Sequence, residues 1–496
     1  MRMLVGTEMV DNHSRGTRGV RGGGVVIASQ LVRTVVQLLG ALLLSRLLTP
    51  ADFGLMAMAT VLLIFADLVR DFGLSTAGLQ ARSLSSQQAS NLFWANAGLG
   101  LALYVVVVVL TPLAALVYDE QRMWVILPTT GLALLLGGLQ TQFQVQLTRD
   151  QKYRSLASTE IASAVLGLGS ALAVAYAGGG YWALIAQSVV GAISLTLLRV
   201  LCARWLPQRP RRGHGSSLLF RIGAHLGLAN VLAFLQGNAD TVTLGVQYGP
   251  TVTGYYSRAF QLLTLPTNAV LGPLSNVVVS VVRGDSGDAI AAMLLRIQYA
   301  LATLTVGYFV IAASTAEHLI PVLIGNQWQA SVPFFQILSI AGAVQALSQV
   351  NYWRFVLSGQ TRALLRYNMI SKPVVVVAIV TCSLYSPTAV AWAYSIGMLL
   401  SWPLALVWIS RVTRTSSWPF FWHGSATIVS GCFAYAIVRL WFSVYSDASL
   451  WGGLLSGLLI AVCVYLIALL AIPLTRRAIL DSVSLAMKLR PREGSL

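Results

Sequence analysis

LLTPADFGLMAMAT (residues 47–60) ends one apolar run and begins another, with the turn between them centred on Pro50. The runs on either side, near 25–47 and 54–69, are each long enough to cross about 30 Å of hydrocarbon as a helix rising about 1.5 Å per residue. The pattern returns at QYGPTVTGYYSRAF (247–260). With a shift of 200 residues Pro50 falls on Pro250, Gly54 on Gly254, Ala59 on Ala259 and Gln30 on Asn230. Further along, LTRDQKY (147–153) parallels LSGQTRA (357–363) at an offset of 210.

Between and beyond these hairpins the apolar runs continue, near 92–117, 124–147, 155–177, 181–203, 218–246, 252–280, 297–315, 329–353, 365–385, 388–410, 419–443 and 450–473. Glu160 and Lys372 interrupt two of them. The runs are continuous and lack the two-residue alternation of a membrane barrel. The sequence therefore predicts an all-α polytopic membrane protein with about fourteen transmembrane helices. Six spans separate the two hairpins, so the copies keep one orientation. That is a parallel repeat of two pseudo-symmetric six-helix lobes, with the last two helices as an appendage. The expected organisation is a basic tail (1–24), an N-lobe (25–203), a basic linker (204–217), a C-lobe (218–410), two further spans (411–473) and a second tail (474–496). Two such lobes suit a transporter that opens alternately to either side.

Composition agrees. Of 496 residues 56% are hydrophobic and 10% charged, where a soluble protein carries about 25% charged residues. The mean hydropathy is +0.73. Soluble enzymes, disordered chains and disulfide scaffolds are excluded. The formal net charge of +17 would suggest nucleic acid in a soluble protein, but its distribution says otherwise. With the N-terminus in the cytoplasm, 26 of the 33 basic residues fall on cytoplasmic segments and only Arg46 and Arg122 on the opposite side. Basic residues retained inside orient the helices, so both termini are expected in the cytoplasm and no nucleic acid is needed. The densest basic loop runs from Arg199 to Arg212, with anionic lipids as its expected neighbours.

The loops are short, no Gly-Lys dipeptide supports a Walker A phosphate loop, and the first residues lack a signal peptide's apolar core. The four cysteines lie in apolar runs without CxxC spacing, and the five histidines form no HxxxH pair. Neither set reads as a metal site. No cofactor and no catalytic residues are expected.

The stretch LLLSRLLTPADFGLMAMATVLLIFADLVRDFGL (42–74) resembles the first hairpin of polysaccharide exporters in the multidrug/oligosaccharidyl-lipid/polysaccharide flippase superfamily. TGYYSRAFQLLTLPTNAVLGPLS (253–275) resembles the matching hairpin of their second lobe, and the likeness is strongest to Wzx-type flippases of the colanic-acid-exporter kind. The resemblance implies a V-shaped cavity in the inner membrane. It also implies export of oligosaccharides linked to polyprenyl pyrophosphate, for surface polysaccharide biosynthesis, with polymerase and chain-length machinery as partners. A peptidoglycan-precursor flippase or a cation-coupled drug antiporter on the same scaffold is the alternative. A membrane polysaccharide polymerase or ligase would need large outer loops.

Charges within spans are costly, by about 2.5–3.5 kcal/mol each, and usually face a cavity or each other. Arg33 and Asp67 each lie 17 residues from Pro50, on opposite arms of the first hairpin. Asp240 and Arg258 lie 10 and 8 residues from Pro250 on the arms of the second. One reading is a structural ion pair in each lobe. The other is that Arg33 and Arg258 bind an anionic headgroup, aided by Gln30 and Gln37 on the Arg33 face and by Asn230 and Asn238 on the seventh span. Asp67, Glu160 and Asp240 are then candidates for pairing or for coupling to a proton or sodium ion. Arg439, near a span end, is expected to reach the interface.

Overall fold

The computed structural model describes residues 29–71, 85–211, 216–281, 287–445, 449–472 and 476. The first tail and nearly all of the last lie outside them. The first helix, α1 (Ser29–Leu47), ends at the turn around Pro50. Thr49 then caps α2 (Pro50–Asp71): its amide and hydroxyl donate to Asp52 Oδ2 at 2.9 and 2.7 Å, and its Oγ1 accepts from the Asp52 amide at 3.3 Å. Proline suits the next position because a first-turn N–H has no partner in any case.

Ser85 and Gln88 form a capping box on α3 (Ser86–Val117). The unit continues through α4 (Met123–Arg149), α5 (Tyr153–Tyr176) and α6 (Trp182–Ala203). Next come α7 (216–248) and α8 (250–281), which Gly249 separates with φ 72° and ψ −173°. Glycine alone adopts that conformation without strain. The remaining helices are α9 (Gly287–Ser314), the short α10 (Ala316–Ile324), a 3₁₀ turn (Asn326–Ser331), α11 (Val332–Leu357), α12 (Thr361–Cys382), α13 (Pro387–Thr413), α14 (Trp418–Val444) and α15 (Leu450–Ala471).

Twelve helices among the described residues are long and apolar enough to cross a membrane. With α7 and α8 at the seventh and eighth places, the order matches the fourteen expected spans. The protein is a multi-pass, all-α membrane protein. Glu160 and Lys372 do not break their helices. The expected loop after the ninth span instead contains α10 and the 3₁₀ turn, whose Trp328 is wholly buried.

The chain divides into two compact units, Met1–Gly254 and Tyr255–Leu496. In the first, α4 packs on α3 and α6, and α6 packs on α5. A Cβ at Gly138 would lie 2.5 Å from the Asn96 carbonyl oxygen, and one at Gly100 2.9 Å from that of Leu134. The α3 and α4 backbones thus meet where side chains are absent, the usual basis of helix association in lipid. In the second unit α11 is central, packing on α9 and α13, while α14 lies on α9 and α15 on α14 and α9.

Both hairpin turns lie in the first unit, and they meet through the residues the repeat relates. A Cβ on Gly54 would sit 1.7 Å from the Pro250 carbonyl oxygen, and one on Gly254 1.8 Å from that of Pro50. The contact is reciprocal: each glycine lies against the carbonyl of the other turn's proline.

The turn after α3 holds a forked ion pair. Arg122 Nε donates to Glu120 Oε1 at 2.8 Å and Nη2 to Oε2 at 2.7 Å. The hydrogen bond from Arg122 holds the Glu120 carboxyl below its ordinary value, against the opposing effect of burial.

After α6 the chain runs extended as a strap along the start of α3. The Gln208 amide donates to Ser90 Oγ, and Trp94, Gln87 and Asn91 donate to the carbonyls of Gln208, Arg209 and Arg211. Trp205 anchors the strap against Phe93 and Phe143. Arg199 does not belong to this loop, contrary to expectation. It is held inside α6.

Candidate functional site

Four helices of the first unit bring polar groups to one place. Arg199 of α6, 3% exposed, donates from Nη2 to Glu160 Oε1 of α5 at 3.0 Å. Its Nη1 donates to Gln140 Oε1 at 2.6 Å and Gln144 Oε1 at 3.0 Å, both on α4. Arg33 of α1 approaches the other carboxylate oxygen, Nη1 to Oε2, at 3.5 Å. Glu160 lies seven residues inside α5, Arg199 four residues from the end of α6 and Gln144 five from the end of α4. At about 1.5 Å per residue, the cluster is therefore roughly 6–10 Å deep, all at one end of the helices.

Glutamine 140 and 144 share a face of α4, so one guanidinium can reach both. Two arginines surround one carboxylate, which leaves the cluster cationic. The two differ in availability. Arg199 is enclosed and has its Nη atoms bonded, and its Nε has no partner among the described residues. Arg33 is 41% exposed and holds Glu160 by one long contact. Gln30 and Gln37 are exposed beside it on α1.

This arrangement corrects the expected partnership of Arg33. Asp67 does not pair with it. Asp67 bonds Arg70 one turn away on its own helix, Oδ1 accepting from Nε at 2.9 Å and from Nη2 at 2.8 Å. Arg70 is buried and donates from Nη1 to Thr141 Oγ1 of α4 at 2.9 Å, which ties the end of α2 to α4. The neighbour of α1 is α5 instead. Gly40 faces Leu168, as Arg33 faces Glu160 seven residues earlier, so the two helices run parallel.

Asp240 is buried in α7, where Oδ1 accepts from the Thr241 amide at 2.7 Å. Asn238 donates to the Phe234 carbonyl on its own helix. The side chain of Asn230 lies outside the described ones. In the second unit Arg258 donates to Gln261 Oε1, and its guanidinium lies 5.9 Å from the centre of the buried Trp328 ring. On α11, Gln349 Nε2 donates to Ser275 Oγ at 3.3 Å. Arg439 forms a 2.8 Å ion pair with Glu317 of α10.

Sequence reasoning missed Arg199 and Arg70 as interior residues. For Arg199 a signal existed, since it falls inside the apolar run 181–203. Among the described residues no group of three or more His, Cys, Asp or Glu could hold a metal.

A family model described as a polysaccharide biosynthesis protein matches residues 43–333. The teichuronic acid biosynthesis protein TuaB of Bacillus subtilis (strain 168) is 24% identical over 65% of this chain and 68% of its own length. The lipopolysaccharide biosynthesis protein WzxC of Escherichia coli (strain K12) is 22% identical over 61% of this chain and 63% of its own. The succinoglycan biosynthesis transport protein ExoT of Rhizobium meliloti (strain 1021) is 24% identical over 61% and 62%. Among solved structures, a lipid II flippase MurJ in an inward closed conformation covers 90% of this chain and 98% of its own, with TM-score 0.68 and 13% identity. An inward-facing multidrug resistance MATE family transporter of the MOP superfamily covers 77% and 96%, with TM-score 0.58 and 14% identity. The chain has the fold these two share.

Proposed function

From the premise that this chain belongs to the polysaccharide biosynthesis protein family, we propose that it is a flippase for lipid-linked oligosaccharide, not an enzyme. It carries polyprenyl-pyrophosphate-linked repeat units from the cytoplasmic to the outer leaflet of the inner membrane by alternating access. The observation that carries the reading is the cationic cluster at Glu160, in which Arg33 remains available while Arg199 is fixed. Guanidinium stays charged and offers paired N–H donors to phosphate oxygens. In this scheme the pyrophosphate takes Arg33 from its long contact with Glu160, and Arg199 keeps Glu160 in place while Arg33 is engaged. Gln30, Gln37 and Asn238 supply amides for sugar hydroxyls, as does Asn230 in its expected role. Arg258, over Trp328, serves the second unit in the same way. A cationic-drug antiporter would call for the opposite charge at such a site.

The basic residues of the loops support an orientation with both termini in the cytoplasm. Export of negative charge is then favoured by the membrane potential, by about 2.3 kcal/mol per charge per 100 mV. Cysteines placed at Gly179 and Gln327 should be labelled from outside, and one at Arg211 only from inside.

The functional test is export in a deletion strain, with membrane levels measured alongside. Arg33→Ala should abolish export, and Arg33→Lys, which keeps the charge and loses the fork, should retain part of it. Full export by Arg33→Ala at normal membrane level would sink the assignment. Coupling to a proton or sodium ion through Asp67, Glu160 or Asp240 is tested with the amide variants in vesicles, with and without each ion gradient.

A further inference from the structure

A second cationic place lies in the other unit, and the transport scheme makes no use of it. The start of α12 and the end of α13 form the walls of an open cavity of about 370 Å³, lined by Gln360, Arg362, Arg366, Trp408, Arg411 and Val412 besides Ala363, with the three arginines exposed. Three arginines line it and no carboxylate does. None of the three guanidiniums makes a hydrogen bond or ion pair with the described residues. Arg362 and Arg366 are also one turn apart on the same helix, where like charges repel.

The internal repeat sharpens the point. At the offset of 210, Lys152 corresponds to Arg362 and Asp150 to Gln360. In the first copy Asp150 Oδ2 lies 3.3 Å from Lys152 Nζ, so the chain supplies its own counter-charge. In the second copy the acid is an amide, and Arg366 and Arg411 add two further cations. The place that the first copy fills with a carboxylate is left for an outside anion.

The surroundings fix the kind of anion. Trp408 meets Tyr367 edge-on at 6.2 Å, and the Tyr367 hydroxyl donates to the Ser401 carbonyl at 2.7 Å, which steadies the aromatic wall. Along α12 the next exposed side chains are Leu365, Met369 and Ile370. Within its unit α12 packs on α13 and, more lightly, on α11, and with Val374 and Val377 also exposed it carries an apolar face of the kind that meets lipid in a membrane-spanning helix. An anion here has hydrocarbon beside it, as a lipid phosphate does and a free phosphate does not. Basic pockets at helix ends on the membrane surface suit such headgroups.

We infer that this cavity binds the phosphodiester of an anionic glycerophospholipid, with Arg362, Arg366 and Arg411 on the phosphate and Gln360 donating to it. The inference does not rest on the transport reading, since it needs only the membrane-spanning fold.

Native mass spectrometry of the purified protein, titrated with phosphatidylglycerol against phosphatidylcholine, tests it. The wild type should retain one phosphatidylglycerol above the phosphatidylcholine background. At about fivefold per arginine near an anionic surface, the variant with Arg362, Arg366 and Arg411 all changed to Ala should bind it about a hundredfold more weakly. The corresponding triple Lys variant should keep most of the affinity. Gln360→Asp restores the in-chain acid and should weaken binding while leaving the fold intact, so it carries the test where the triple variant melts early. Unchanged phosphatidylglycerol retention by the triple Ala variant or by Gln360→Asp overturns the site. Displacement of phosphatidylglycerol by equimolar inorganic phosphate, or by substoichiometric farnesyl pyrophosphate, overturns the phospholipid as its occupant. Export measured on the same variants keeps this outcome separate from that of the transport proposal.

Discussion

Placing an alanine at Gly54 tests the contact between the two hairpin turns. The added Cβ would lie 1.7 Å from the Pro250 carbonyl oxygen, and Gly254→Ala would place one 1.8 Å from that of Pro50. A carbon approaches a carbonyl oxygen to about 3.3 Å at best, so each substitution demands a separation of roughly 1.5 Å. Neither obstacle is a side chain that can turn aside. Both are backbone atoms in first helical turns held by proline and, at Thr49, by a cap. The cost should therefore reach or exceed the upper end of ordinary overpacking, about 3 kcal/mol, which displaces an equilibrium more than a hundredfold. Ser45, fully buried one turn before Thr49, reports on it. In a background lacking the native cysteines, Ser45→Cys should resist an impermeant maleimide, and adding Gly54→Ala should raise its labelling rate tenfold or more. Export should fall with it. Gly98→Ala and Gly169→Ala meet nothing within 4 Å and should leave labelling and export unchanged. If Gly54→Ala labels and exports like those controls, the close approach does not hold the turn shut and the argument fails.

Glu160→Ala strands the buried Arg199 charge and should lower stability by about 3–5 kcal/mol, whereas Glu160→Gln keeps an acceptor and should cost less. Changing both Glu160 and Arg199 to Met should regain part of the loss, and melting curves that place Glu160→Ala with the wild type would refute the cluster. Gly249→Ala forces a Cβ into a conformation open essentially to glycine alone and should cost about 1–3 kcal/mol, read as an earlier melting transition. Folding holds the Glu120 carboxyl below its ordinary 4.5. Its contribution, about 1 kcal/mol or less, is thus complete above that pH and is lost as pH falls through the lower folded value. Glu120→Gln should be slightly less stable at neutral pH and should lose less of its stability on acidification, and an identical acid limb in both proteins would contradict this.

What the sequence determined by itself was the set of helices and their order. A segment in hydrocarbon must satisfy its own backbone hydrogen bonds, so an apolar run of sufficient length becomes a helix whatever its neighbours. That local rule is why the runs near 124–147 and 388–410 end within a few residues of α4 and α13. It also let Pro50 and Pro250 mark equivalent turns before either was seen to meet the other. The partners of the charged residues were decided only by the tertiary structure. Arg33 and Asp67 have matching depth on one hairpin, yet Arg33 faces α5 and Asp67 turns to Arg70 on its own helix. Lipid is as apolar as leucine, so hydrophobicity cannot select which helices adjoin. The choice falls to close approach at small residues, such as Gly40 against Leu168, and to bonds between groups as far apart in sequence as Arg33 and Glu160. The cavity of Arg362, Arg366 and Arg411 has the same origin. Its two halves lie on helices whose sequences give only two basic loop ends, and the antiparallel packing of α12 on α13 brings them together.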